Sequence, residues 1–286
     1  MLTVLAPAKI NLTLEVLAER PDGFHEIRSL TQAVDLCDRL RLRLSHDIKF
    51  SGDKPSFVWE ESLISRATAL LQETTGCAKG ATIELTKRIP LSSGLGGDSS
   101  DAAAILHGLN KLWQLGLSLK ELTELAPRLG SDVPFFLHGG TALVEGRGEK
   151  ITPLPPLPHR WVVLMIPDVP RMAEKTRRLY ASLKINHYTD GQITERFITA
   201  LKGDREFKPS MLFNTFENVA FDQFPGLKVY KEHFLKLGAP DVHLTGSGPA
   251  LFSLVEDRAG AERIYESLQR QGVECYLAET SPLPLG

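Results

Sequence analysis

An α+β sandwich with a mostly antiparallel sheet is the fold class that this 286-residue sequence predicts. Three observations predict it. Alternating segments near both ends of the chain read as strands, and segments of helical period lie between them. The cluster Pro153-Leu154-Pro155-Pro156-Leu157-Pro158 then divides the chain in two. Proline fixes φ and donates no backbone hydrogen bond, so this cluster neither continues a helix nor enters a sheet interior. The expected domains are residues 1–155 and 156–286.

Taken in order, Ala8 to Val16 alternates cleanly, with Ile10, Leu12, Leu14 and Val16 pointing one way and Asn11, Thr13 and Glu15 the other, which predicts a half-buried strand. Arg20-Pro21-Asp22-Gly23 predicts a turn. Leu40, Leu42 and Leu44 mark a second strand, and Leu63, Ile64, Ala67, Leu70 and Leu71 a helix that Gly76 ends. Ala81 to Ile89 is strand-like, Asp101 to Trp113 helical, and Ser118 with Glu121 forms a capping-box pattern opening a helix that Gly130 stops. Past the prolines, Trp161 to Ile166 reads as a buried strand. Helices are expected around Glu174–Leu183, Ile193–Leu201, Asn214–Phe221 and Leu227–Leu237. Strand character around the turn Thr245-Gly246-Ser247-Gly248-Pro249, a helix over Ala259–Gln271 and a closing strand over Val273–Leu277 complete the pattern.

Bulk properties narrow the function classes. A composition of 42% hydrophobic and 24% charged residues belongs to a folded globular chain and not to a disordered one. The net charge of −2 offers no electrostatic reason to expect nucleic acid or an anionic membrane as a partner. Met1 to Lys9 lacks the features of a leader peptide, and no apolar run reaches the roughly 18 residues that cross a bilayer. A cytoplasmic protein is expected. Cys37, Cys77 and Cys275 are scattered and odd in number, which predicts reduced thiols and no zinc site.

The segment with chemical content is P-L-S-S-G-L-G-G-D-S-S-D-A-A-A, starting at Pro90. Gly94, Gly96 and Gly97 permit positive φ and close approach of a ligand, and a helix start follows. Unpaired N–H groups at a helix N-terminus bind phosphate, and the Ser99 and Ser100 hydroxyls could add hydrogen bonds or help hold magnesium. No lysine closes the loop as in a Walker A motif, and Ser99 stands where a dinucleotide fingerprint needs glycine. A glycine-rich loop leading into a well-capped helix is the bland alternative.

Pro90 to Ser100 resembles the second motif of the GHMP kinases, the family of galactokinase, homoserine kinase, mevalonate kinase and phosphomevalonate kinase. Within it, the loop is most similar to the branch acting on a cytidylyl methylerythritol. Pro7-Ala8-Lys9-Ile10-Asn11-Leu12, Arg20-Pro21-Asp22-Gly23-Phe24-His25 and Gly130-Ser131-Asp132-Val133-Pro134-Phe135-Phe136 support the same likeness. Thr245 to Pro249 is similar to the family's third motif, so the matches span nearly the whole chain in family order.

The resemblance implies a two-domain GHMP kinase fold: an N-terminal domain like ribosomal protein S5 domain 2 and a ferredoxin-like C-terminal domain. It implies an enzyme that uses ATP and magnesium to phosphorylate a cytidylyl sugar alcohol. ATP would lie along Ser92, Ser93, Gly94, Leu95, Gly96, Gly97, Asp98, Ser99 and Ser100. Asp132 would be the catalytic base; on its own residues, Asp before Val-Pro reads instead as a helix N-cap. Lys9 would be its cationic partner, where the residues alone also allow a solvated strand lysine. Asn11 would hydrogen-bond the acceptor, Phe24 would stack on cytosine, His25 would bond the base edge, and Tyr180 would supply a second aromatic.

Departures from the family pattern are equally specific. Phe24 replaces a usual tyrosine, Lys175-Thr176 a usual Ser-Thr, and Asp98 a glycine inside the phosphate loop. Ser92 and Ser93 stand where glycine or alanine is commoner, and Ser62 where an asparagine often lies near adenine. The rival readings are homoserine kinase or another GHMP kinase, which gives no reason for Phe24-His25, and a catalytically silent nucleotide-binding and sugar-binding regulator, against which Lys9 and Asp132 argue. A monomer or weak homodimer is expected.

Overall fold

The computed structural model describes residues 1–53, 58–203 and 208–281. The first sheet is built on two long antiparallel strands, β1 (Leu2–Glu19) and β2 (His25–Ser45). The predicted Arg20–Gly23 turn joins them, with the Gly23 N–H bonded to the Arg20 carbonyl at 3.0 Å. On β2 lie β4 (Gly80–Thr86) and β5 (Thr141–Gly146); β3 (Lys49–Gly52) and β6 (Lys150–Pro153) extend the sheet beyond them. The seventh strand, β8 (Phe213–Asn214), comes from far along the chain and pairs parallel with β1. The second sheet runs β11-β7-β10-β9 and is wholly antiparallel, using β7 (Trp161–Met165), β9 (His243–Leu244), β10 (Leu251–Val255) and β11 (Cys275–Glu279). The proline cluster runs between β6 and β7.

Helices also form in the N-terminal half. In α1 (Leu63–Thr75), Ser62 caps the start through the Ser65 N–H, and Gly76, at φ 66°, ends the helix as predicted. Next, α2 (Gly97–Trp113) starts four residues before the predicted Asp101, because Gly96 at φ 75° turns the chain and lets the last residues of the glycine loop form the first helical turn. The Ser118–Glu121 capping box is present in α3 (Leu119–Leu125), and α4 (Val133–His138) is a short buried helix with Pro134 in its first turn. The C-terminal part adds α5 (Lys175–Ser182), α6 (Gln192–Lys202), α7 (Glu217–Gln223), α8 (Leu227–Lys236) and α9 (Arg258–Arg270). The helix expected over Asn214–Phe221 starts only at Glu217. Its first two positions are otherwise engaged: Asn214 pairs with Leu14 in β8, and the Thr215 N–H bonds the Leu14 carbonyl at 2.8 Å.

The clean alternation of β1 conceals a more complex strand. Both of its faces are buried, so it is not half-exposed: Lys9, Asn11, Thr13 and Glu15 are at most 6% accessible. Nor does one face carry all the even-numbered residues. Val4 and Ala6 join one hydrophobic core; Ala8, Ile10 and Leu12 join another; Leu14 and Val16 return to the first. The changes fall at register shifts between Pro7 and Ala8 and between Asn11 and Thr13. The first shift passes over Asp35 and Leu36 of β2; the second passes over Leu12 alone, and a one-residue slip in a strand with a period of two sends the later side chains to the opposite face. Thus Thr13 and Glu15 meet α6, where the Glu15 carboxylate accepts from the Thr194 N–H at 2.7 Å. Lys9 and Asn11, between the shifts, are turned instead toward the glycine loop.

Candidate active site

A cleft of about 390 Å³ opens where β1, the N-terminus of α2, the start of α4 and the Thr245–Gly248 turn converge. It gathers residues from every motif singled out in the sequence. Ser92, Ser93, Gly94, Gly96, Gly97, Asp98 and Ser99 line one side, with Lys9, Asn11, Asp132, Phe24 and Tyr180 on the others. Leu95 and Ser100 of the same loop stand apart. Both side chains are fully buried beneath it, and only the Leu95 carbonyl turns back, to accept the Lys9 N–H at 3.0 Å. His25 is not in the cleft wall; it backs Tyr180, with ring centroids 4.4 Å apart and planes at 21°.

The glycines are required by the protein itself. Gly94 and Gly96 have φ of 93° and 75°, and a Cβ on Gly94 would strike the Thr245 carbonyl. A Cβ on Gly96 would come within 2.7 Å of the Phe136 ring. This close packing leaves α2 pointing at the cleft with a glycine N-cap and no side chain bonded to its first N–H groups. A 17-residue helix ending this way presents partial positive charge and free donors, which suit polyphosphate. Among the described residues no cluster of three acidic, histidine or cysteine side chains could chelate a metal. The donor set suits a magnesium ion held mostly by nucleotide phosphates, with one carboxylate or hydroxyl from the protein.

Asp132 occupies the N-cap position of α4 but makes no capping bond. Its carboxylate is 49% exposed and lies 3.9 Å from the buried ammonium of Lys9. Burial lowers the pKa of Lys9, and Asp132 opposes that shift. Lys9 donates to Asn11 Oδ1 at 2.6 Å, and the same oxygen accepts from the Gly246 N–H at 2.9 Å. The Asn11 Nδ2 donates to Ser29 and Thr31 at 2.9 and 3.3 Å. All four valences of this amide are therefore engaged, and contact with an acceptor molecule would require it to give one up.

The aromatic wall is more elaborate than the sequence suggested. Phe24 is 51% exposed and carries the Arg147 guanidinium 4.6 Å above its ring. Tyr180 is held edge-on by Phe216, and Tyr188 places its hydroxyl 3.3 Å from His25 Nε2. Burial lowers the pKa of His25, so the ring is neutral near pH 7 and one of its nitrogens is an acceptor. Ser62, by contrast, uses its hydroxyl to cap α1 and to donate to the Trp59 carbonyl at 2.7 Å.

Two lysines not included among the expected site residues also face the cleft. Lys87 lies under the loop, 2.7 Å from Asp38, 2.8 Å from Asp101 and 3.5 Å from Asp98. Burial opposes its charge, yet Asp101 and Asp38 hold its pKa above the usual lysine range. With two buried carboxylates against one ammonium, burial drives Asp101 toward its protonated form; its Oδ1 has no partner. Asp98 thus has a cation beside it as well as the dipole of α2. Lys175, at the start of α5, reaches the Ser92 carbonyl at 2.8 Å and also the Gly248 carbonyl. The order Lys87-Arg-Ile-Pro immediately before the loop was a usable signal for the first lysine. For the second, only its departure from the family's Ser-Thr marked the position.

The chain is similar to known proteins over nearly its whole length. The family model for the GHMP kinases N terminal domain matches residues 62–140, and that for the GHMP kinases C terminal matches residues 197–274. A relative from Dehalococcoides mccartyi named 4-diphosphocytidyl-2-C-methyl-D-erythritol kinase is 47% identical over 98% of each chain. One of the same name from a Geobacillus species is 40% identical, covering 94% of this chain and 93% of its own. A crystal structure of 4-(cytidine 5'-diphospho)-2C-methyl-D-erythritol kinase matches with a TM-score of 0.83 at 35% identity, covering 100% of this chain and 99% of that one. The homoserine kinase of Cytophaga hutchinsonii matches at a TM-score of 0.78 but only 21% identity, covering 99% and 96%, and so shares the fold.

Proposed function

The chain belongs to the GHMP kinase family, and on that premise we propose that it transfers the γ-phosphoryl group of ATP to the 2-hydroxyl of 4-diphosphocytidyl-2-C-methyl-D-erythritol, a step in the non-mevalonate route to isoprenoid precursors. The observation that carries the chemistry is Asp132. Its carboxylate sits where a helix cap would be, makes no cap, and faces Lys9 beside the phosphate-binding helix start. The acceptor is taken from the relatives that share 40–47% of the sequence over nearly its full length.

In this reading Asp132 accepts the proton of the acceptor hydroxyl, and Lys9 offsets negative charge developing on that oxygen. Asn11 holds the ammonium in place through the bond that it also shares with Gly246. When bound, ATP supplies the phosphoryl group, and magnesium offsets the charge of its phosphates. The first-turn N–H groups of α2, together with Ser92, Ser93 and Ser99, would hold those phosphates, and Asp98 or Ser99 would complete the magnesium shell. Phe24 provides a face for cytosine, with Tyr180 and its backing His25 as the opposite wall. Residues 1–155 carry the nucleotide site and residues 156–286 close it, in a cytoplasmic monomer or weak homodimer.

The test offers purified protein ATP, magnesium and a panel of hydroxyl acceptors. Phosphorylation of the cytidylyl methylerythritol and not of homoserine is expected; phosphorylation of homoserine alone would overturn the acceptor assignment. Phe24→Ala should raise KM for the acceptor by about tenfold or more, the value of a stacked base, and leave KM for ATP unchanged. Equal losses on both substrates would remove Phe24 from the cytosine site.

A further inference from the structure

Lys175 has no part in the mechanism above, yet it bridges two of the motifs that build the cleft. Its ammonium donates to the carbonyl of Ser92, at the start of the glycine loop, and to that of Gly248, in the C-terminal turn. Next to it, the hydroxyls of Thr176 and Ser247 are 2.9 Å apart. The backbone on both sides of this bridge lies in a conformation that L-residues avoid: Ser92 has φ 57° and Glu174, immediately before Lys175, φ 50°. Only one other non-glycine residue described has positive φ, so this strain is concentrated at the cleft.

We propose that Lys175 is a second phosphate-binding cation of this enzyme, engaging the terminal phosphate of the bound nucleoside triphosphate. The inference rests on the kinase reading and adds to it the group that distinguishes triphosphate from diphosphate. Position supports the choice of terminal phosphate. Lys9 and Lys175 flank the same turn, Lys9 through the Asn11 oxygen that it shares with Gly246 and Lys175 through Gly248. Phosphoryl transfer has to occur beside Lys9 and Asp132, so a cation adjoining Lys9 adjoins the group transferred.

Charge supports it as well. The ammonium of Lys87 is matched by its own acids, Asp38 and Asp101. Glu174 is paired with Arg177 at 3.4 Å, and Arg147 lies over Phe24. Around the proposed transfer point this leaves Lys9 facing the Asp132 carboxylate and Lys175 close enough to Lys9 to be repelled by it, with Asp98 beside Lys87. Among the described residues no carboxylate pairs with Lys175. Burial, with the repulsion of Lys9, brings its pKa down to about 8. An anion arriving between the two lysines would restore its proton.

Calorimetric titration of the whole protein tests this at pH 8, with the magnesium complexes of the β,γ-imido analogue of ATP and of ADP, in two buffers of different ionisation enthalpy. The wild-type protein should take up a fraction of a proton with the triphosphate. Lys175→Met should lose that uptake, bind the triphosphate about tenfold or more weakly, and bind ADP less than about threefold more weakly. Lys175→Arg, always charged, should bind the triphosphate tightly without proton uptake. Equal weakening of both nucleotides by Lys175→Met, or proton uptake that survives it, would show Lys175 to be only a latch between two loops and would overturn the proposal while leaving the kinase reading intact. Failure of the wild-type protein to bind either nucleotide would overturn the kinase reading and this inference with it.

Discussion

Two buried lysines in one cleft have opposite surroundings. Lys87, on the floor, is held by Asp38 and Asp101 at 2.7 and 2.8 Å, and its pKa is raised. Asp38 is anchored in turn by the Arg88 and Ile89 N–H groups. Lys9, at the proposed transfer point, has a neutral amide as its near partner, a half-exposed carboxylate at 3.9 Å, and a lowered pKa. The floor is a buried charge network centred on Lys87, in contact with the first turns of the helix that follows the glycine loop. The transfer point leaves its charges incompletely matched, a condition that an incoming phosphate and an ionising hydroxyl can complete.

That contrast can be broken by substitution. The largest effect is expected at the transfer point: Asp132→Asn should lower kcat by about 10²–10⁴-fold, the range for a general base, with nucleotide affinity retained. Near-normal turnover in a well-folded variant would remove Asp132 from the base role. Lys87→Met strands Asp38 in the interior and should cost about 3–5 kcal/mol of stability in urea denaturation. A variant as stable as wild type but lacking turnover would reverse the two assignments. Smallest is Asp98→Asn. Its carboxylate is 57% exposed and 3.5 Å from Lys87, so a stability change under about 1 kcal/mol is expected. A loss as large as that of Lys87→Met would make Asp98 an integral member of the floor.

What the sequence disclosed and what it hid follow from the range of the interactions involved. Gly76, the Ser118–Glu121 box and the turn at Gly23 are local devices, and each does what its residues predict. The glycine loop is similarly local, since its shape depends on φ at Gly94 and Gly96. The register shifts in β1 are not local. They exist only in its pairing with β2, and the alternation from Ala8 to Val16 looks identical with or without them. Lys87 is held by Asp38, 49 residues back, as well as by Asp101, 14 residues on, and Lys175 reaches Gly248, 73 residues on; the two distant partners could not be read from spacing. Asp98, in place of a glycine in the loop, lies 3.5 Å from Lys87, a neighbour that its own sequence context does not show.

The wall behind the glycine loop has a consequence for synthesis of the chain. The Ala250 N–H bonds the Ser93 carbonyl at 3.0 Å, and the Thr245 carbonyl fills the space where Gly94 has no side chain. β1 gains its neighbour β8 only from residues 213–214, and the Ser281 N–H closes onto the Ala33 carbonyl at 2.9 Å. A nascent chain therefore carries its glycine loop long before it carries the residues that brace it. Nucleotide binding should arise late in translation, as Thr245 to Ala250 clear the ribosome, and arresting synthesis at successive lengths in the presence of a labelled nucleotide would date that event.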